Sequence, residues 1–196
     1  MMKKLTLLAA AMFTATFALA AGPAPHKDGI EGKDYKWNAQ EGEKMEALKK
    51  KGRVKEGEEA YEACGACHLP SGAGRPDGTF PQLAGQHTTV LIKQMADIRA
   101  GLRDNPTMYP FAISLTDPQE LADAAAYIES LCIPTTHGVY EGKDAAIQIA
   151  TGKALYEKQC LECHGKNGEG QKEKFYPVIA GQHYKYLLRQ MTEIRD

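Results

Sequence analysis

Two stretches carry the chemistry of this chain: Cys64-Gly65-Ala66-Cys67-His68 and Cys160-Leu161-Glu162-Cys163-His164. Each sets two thiols three positions apart and follows them at once with an imidazole. Thiols at that spacing reach one edge of a porphyrin from a single helical turn and form thioethers with its two vinyl groups. The histidine then swings under the ring and binds the iron. The expected cofactor is therefore two covalently bound haem c groups. Cys64, Cys67, Cys160 and Cys163 are the attachment residues, and His68 and His164 are iron ligands. Two other chemistries use Cys-x-x-Cys. Knuckles that share a zinc lie about 15–20 residues apart. These pairs begin 96 positions apart and carry a histidine that a four-thiolate site does not use. A thioredoxin-like dithiol needs a strand–helix setting that neither copy has.

The start of the chain agrees with this reading. Lys3 and Lys4 precede an apolar run from Leu5 to Leu19, and Ala18-Leu19-Ala20 offers a small-x-small cleavage site. This is the pattern of a secretory signal peptide over 1–20, too short for a spanning helix. Export to the periplasm is expected, where bacterial c-type haem is attached and free thiols are at risk. Haem would cap four of the five cysteines and leave Cys132, which reads as a small buried hydrophobe at a helix end. A thiolate haem ligand and an intermolecular disulfide are its alternatives. Loss of the leader removes two lysines and moves the formal charge from −1 to about −3, a balance that gives no support for nucleic-acid binding, and no nucleic-acid partner is expected.

The architecture follows from a repeat. A shift of 96 positions superposes the two halves without gaps from the first motif cysteine onward. Gly72, Gly74 and Pro81 fall on Gly168, Gly170 and Pro177. Ala84-Gly85-Gln86-His87 falls on the identical Ala180-Gly181-Gln182-His183. Upstream, Tyr156 leads into its motif with one residue more than Tyr61 does. The fold class is all-α: a tandem of two small helical domains, each built around a haem. Helices are expected over 57–66, 88–99, 117–131 and 145–158, with Asp117 and Pro118 as N-cap and first-turn proline. Residues 21–43 read as a flexible extension with Trp37 as its anchor, 44–133 as the first domain, 134–144 as a linker and 145–196 as the second domain. Asp196 aligns with Ala100, so the second domain is expected to be truncated.

On these residues the chain resembles the class I cytochromes c, in particular the di-haem cytochrome c4 family and its single-domain c553-like relatives. The resemblance runs from about Gly57 to Asp196. It rests on both haem motifs, the Pro-x-x-Ala-Gly-Gln segments and Gly101-x-Arg103-x-Asn105-x-x-Met108. It implies a pair of helical haem domains working as a periplasmic electron carrier.

The resemblance also implies the remaining site residues. Met45, Met95 and Met108 are the thioethers available to the first haem. Met95 shares an apolar stripe with Leu91 and Ile98, and Met45 lies in a charged helix. Met108, 40 residues after His68 in a loop, matches the family's ligand position. His87 and His183 also repeat and compete with it, as caps, propionate contacts, solvated groups or bis-histidine ligands. His26 and His137 read as solvated. Pro81 and Pro177, each 13 residues after its histidine, match the proline whose carbonyl accepts the proximal imidazole N–H.

The expected function is electron transfer between redox protein partners, with association to a membrane respiratory complex as one setting. No acid–base constellation flanks either motif, so catalysis is not expected. The competing readings are a haem enzyme (a di-haem peroxidase or a thiosulfate-oxidising cytochrome) and the cytochrome subunit of a dehydrogenase.

Overall fold

The structure is a computed structural model that describes residues 31–32, 35–36, 42–135 and 137–195. The leader over 1–20, His26 and Trp37 lie outside the described residues. Within the expected extension, β1 (Glu31–Gly32) pairs antiparallel with β2 (Tyr35–Lys36), a two-residue ladder that no alternation in the sequence announces. The remaining named elements of the described residues are helices, beside one isolated bridge between Gln171 and Tyr176.

The first domain contains α1 (Glu43–Leu48), α2 (Val54–His68), α3 (Thr88–Arg99), α4 (Tyr109–Ser114) and α5 (Pro118–Ser130). The α3 boundaries coincide with the expectation. Asp117 caps α5 through its side chain, which accepts from Gln119 N at 2.8 Å. Helix α2 starts three residues before the expected Gly57, because its cap is tertiary. The Asp123 carboxylate of α5 accepts from Arg53 N at 2.7 Å and from Arg53 Nη2 at 2.5 Å. Helix α2 lies closely on α5 because Gly52 and Gly57 carry no Cβ. One added at Gly57 would collide with the Asp123 carbonyl. Ala47, Ile92, Leu121, Ala122 and Ala125 form the buried core, with Leu91 and Met95 packed against it. Met95 is therefore a packing residue. Cys132 is exposed rather than buried, beyond the end of α5 at Ser130.

The second domain contains α6 (Ala145–Gln159), α7 (Leu161–His164), a short 3-10 turn (Lys172–Lys174) and α8 (Tyr184–Arg195). The extra residue upstream of its motif has a definite structural fate. Where α2 runs unbroken, the second copy breaks at Cys160, with φ −114° and ψ −30° between α6 and α7. The break restores the register. Tyr61 OH donates to Leu69 O at 2.9 Å, and Tyr156 OH donates to the equivalent Gly165 O at 2.5 Å. Among the described residues nothing corresponds to α4 and α5. Helix α6 accordingly buries no residue, and Gly152 faces open space.

The two domains meet across a pseudo-twofold axis. A set of glutamine and histidine contacts on one side returns on the other at positions shifted by 96. Gln86 Nε2 donates to Val178 O (3.0 Å), and Gln182 Nε2 donates to Gln82 O (2.9 Å). His87 Nε2 donates to Glu169 O (2.8 Å), and His183 Nε2 donates to Ala73 O (2.7 Å). Ile133 sits between Gly85 and Gly181, filling the room that a Cβ would need at either glycine.

Candidate haem sites

Each site begins with a helix end and a loop. Helix α2 delivers Cys64 and Cys67 half-buried within one turn, and its last residue is the buried His68. The loop then returns so that the His68 ring Nδ1–H donates to Pro81 O at 2.9 Å. A proline carbonyl can only accept, so this bond sets the tautomer and leaves Nε2 with its lone pair. The His68 Nε2 is buried and has no hydrogen-bond partner. Burial lowers the imidazole pKa, and the bond to Pro81 offsets this only in part, so the ring is held neutral as a metal ligand requires. Burial also pushes the Cys64 thiol up. A buried acceptor without a partner, beside two thiols on the same helical turn, fits an iron porphyrin better than it fits any polar core.

The second copy repeats the arrangement. His164 Nδ1–H donates to Pro177 O at 3.0 Å, and Cys160 and Cys163 are half-buried. The loops share their backbone bonding. Gly74 N donates to His68 O (2.9 Å), and Gly170 N donates to His164 O (2.8 Å). Both glycines have positive φ, +65° and +68°, and a Cβ on either would strike the proline carbonyl that holds the histidine. This role follows from the repeat of glycine with proline, though a single motif does not disclose it.

Met108 lies between α3 and α4, at the turn position immediately before α4, whose first turn holds Pro110; six residues are too few for periodicity to reveal that helix. Met108 N donates to both Asn105 O and Asn105 Oδ1 at 3.1 Å. Arg99 anchors α4 from α3, donating through Nε to Ala112 O (2.8 Å) and through its guanidinium to Leu115 O and Glu43. Met45 is half-buried on α1. His87 and His183 direct their rings across the domain boundary, so neither acts as a side-chain cap. His87 Nδ1 also lies 3.7 Å from Glu129 Oε1. The His137 ring bonds locally, to Gly138 O at 2.9 Å, while its backbone carbonyl accepts from Tyr184 N at 3.2 Å.

Fold and sites together define a tandem c-type cytochrome. The family model for cytochrome c matches residues 54–132 and 149–196. Cytochrome c4 from Azotobacter vinelandii is 35% identical over 150 residues, covering 68% of this chain and 68% of that protein. The thiosulfate dehydrogenase electron acceptor of Stutzerimonas stutzeri is 33% identical, covering 68% of this chain and 63% of its own length. The crystal structure of reduced cytochrome c4 from Pseudomonas stutzeri superposes with a TM-score of 0.63 at 30% identity, covering 74% of this chain and 81% of that one. The chain belongs to the cytochrome c4 family of di-haem electron-transfer proteins, with two covalently bound haem c groups. It spans about two thirds of the length of the curated relatives it matches.

Proposed function

We propose that this chain is an exported, periplasmic electron carrier and is not itself an enzyme. Its thioethers would form at Cys64 and Cys67 and at Cys160 and Cys163. His68 and Met108 would be the axial ligands of the first iron, and His164 the proximal ligand of the second. Haem supplies one-electron cycling between ferrous and ferric iron. The protein holds the ligands, excludes water and presents a contact surface to a donor and an acceptor. The observation that carries this reading is His68: its Nδ1 is tied to Pro81 O and its Nε2 is buried without a partner. A thioether opposite it would favour the ferrous state and keep small ligands off the iron. No helix among the described residues is long and apolar enough to cross a membrane.

The test is compositional. Protein made with an intact maturation system should lack residues 1–20 and carry two haems that survive acid–acetone extraction. A mass spectrum showing one haem or none defeats the reading.

A second reading is favoured by the relative described as the electron acceptor of a thiosulfate dehydrogenase. This chain would then take electrons from such an enzyme, or oxidise thiosulfate itself. Reduction by thiosulfate only when a separate dehydrogenase is added supports the acceptor role. Reduction and turnover by the purified chain alone would make it the enzyme.

A further inference from the structure

Between Gly101 and Thr107 the chain from α3 to α4 is exposed except at Arg103 and Asn105, the two side chains that turn inward. Asn105 fixes the backbone of Met108 through two bonds. Arg103 makes a different kind of contact. Its backbone N–H donates to Asp97 O at 3.1 Å, and its guanidinium then forks. Nη1 donates to Gln94 Oε1 at 2.6 Å, within the first domain. Nη2 donates to Gln190 Oε1 at 2.8 Å and lies 3.4 Å from Tyr186 OH, both on α8 of the second domain. Gln94 and Gln190 are equivalent under the shift of 96, so one cation holds the same amide oxygen in both halves. Tyr186 OH also donates to Gln190 Oε1, at 3.0 Å, which orients the amide for Arg103.

We propose that Arg103 is a positioning residue that makes the placement of Met108 at the first haem depend on how the second domain is docked. This rests on the reading of Met108 as sixth ligand. The physical basis is the planar fork, which satisfies two acceptors at a fixed separation. A lysine ammonium on a flexible stem does not reproduce it. A segment otherwise open to solvent is thereby pinned at its two inward residues, one to its own domain and one to both. Loosening α8 would let the segment, and with it the thioether, move away from the iron.

The decisive variant changes no residue of the first domain. In the di-haem protein, Gln190→Ala should lower the potential of the first haem and weaken its ferric sulfur-to-iron charge-transfer band. Gln190→Glu keeps the acceptor and should retain both. Arg103→Lys should match Gln190→Ala, and the double variant should be no worse than either single one, as expected for two ends of one contact. Met108→Ala serves as the reference, because the band it removes is the share of the first haem. If Met108→Ala leaves the band intact, the ligand reading is wrong. If Met108→Ala removes the band while Gln190→Ala and Arg103→Lys leave band and potential unchanged, the positioning role is overturned. A lowered melting temperature with unchanged band and potential overturns it equally.

Discussion

Gln82 and Gln182 exchange hydrogen bonds across the pseudo-twofold axis. Gln82 N donates to Gln182 Oε1 at 3.0 Å, and Gln182 Nε2 donates back to Gln82 O at 2.9 Å. Gln86 and Val178 exchange the matching pair, at 2.9 and 3.0 Å. Each side-chain amide thus acts like a stretch of β-ladder between domains. Gln182→Ala should strip three backbone groups, Gln82 N, Gln82 O and His183 N, of this partner and cost about 1–3 kcal/mol. Gln86→Ala should cost a similar amount. The measurement is thermal unfolding together with limited proteolysis between the two domains, which should be faster in both variants.

Gly74→Ala should act on the iron rather than on the fold alone. A Cβ there would strike the Pro81 carbonyl. The His68 N–H would lose its acceptor, and the imidazole would lose its fixed orientation. The expected outcome is a shifted potential and altered ligand-field spectrum for the first haem, with the second haem unchanged. Gly170→Ala should do the reverse. Redox titration of the two haems in each variant checks the pairing.

The equivalent helix glycines should respond in opposite directions. Gly57 lies against the Asp123 backbone, so Gly57→Ala forces α2 away from α5 at a cost of about 1–3 kcal/mol. Gly152 has no atom near its missing Cβ. In this chain Gly152→Ala should therefore stabilise α6 by up to about 1 kcal/mol, the helix-propensity difference. Denaturant unfolding monitored by helix signal separates the two.

Asp123 makes part of the stability depend on pH. Burial pushes its carboxyl up, but the hydrogen bonds from Arg53 and Gln119 outweigh this and hold it below the ordinary carboxylate range. The folded state therefore binds this proton less readily than the unfolded chain does. Its contribution is fully present above the unfolded pKa of about 4 and is lost as pH falls through the lower folded value. Asp123→Asn should lower stability at neutral pH and flatten the acid limb of the stability curve. Urea unfolding at neutral pH and below about pH 4 measures both effects.

What the sequence disclosed was whatever is encoded locally or by repetition. The extent of α3, the Asp117 cap and the pairing of Pro81 with His68 follow from spacing, capping chemistry and family resemblance. What it concealed was set by distant partners. Helix α2 begins at Val54 because a carboxylate 70 residues away caps it. Helix α4 is too short for its apolar spacing to register. The expected buried position of Cys132 failed because the chain had already left its helix. His87 and His183 were legible as a repeated pair, yet neither sequence position says that the ring reaches the opposite domain. That two identical Ala-Gly-Gln-His segments occur at one spacing was the available signal of a shared interface.

Ile133 has a further consequence. It fills the gap beside Gly85 and also the gap beside Gly181, so one side chain serves both halves. The segment that leads out of the first domain is thus also a spacer between the two, and a change at either glycine presses on the same isoleucine.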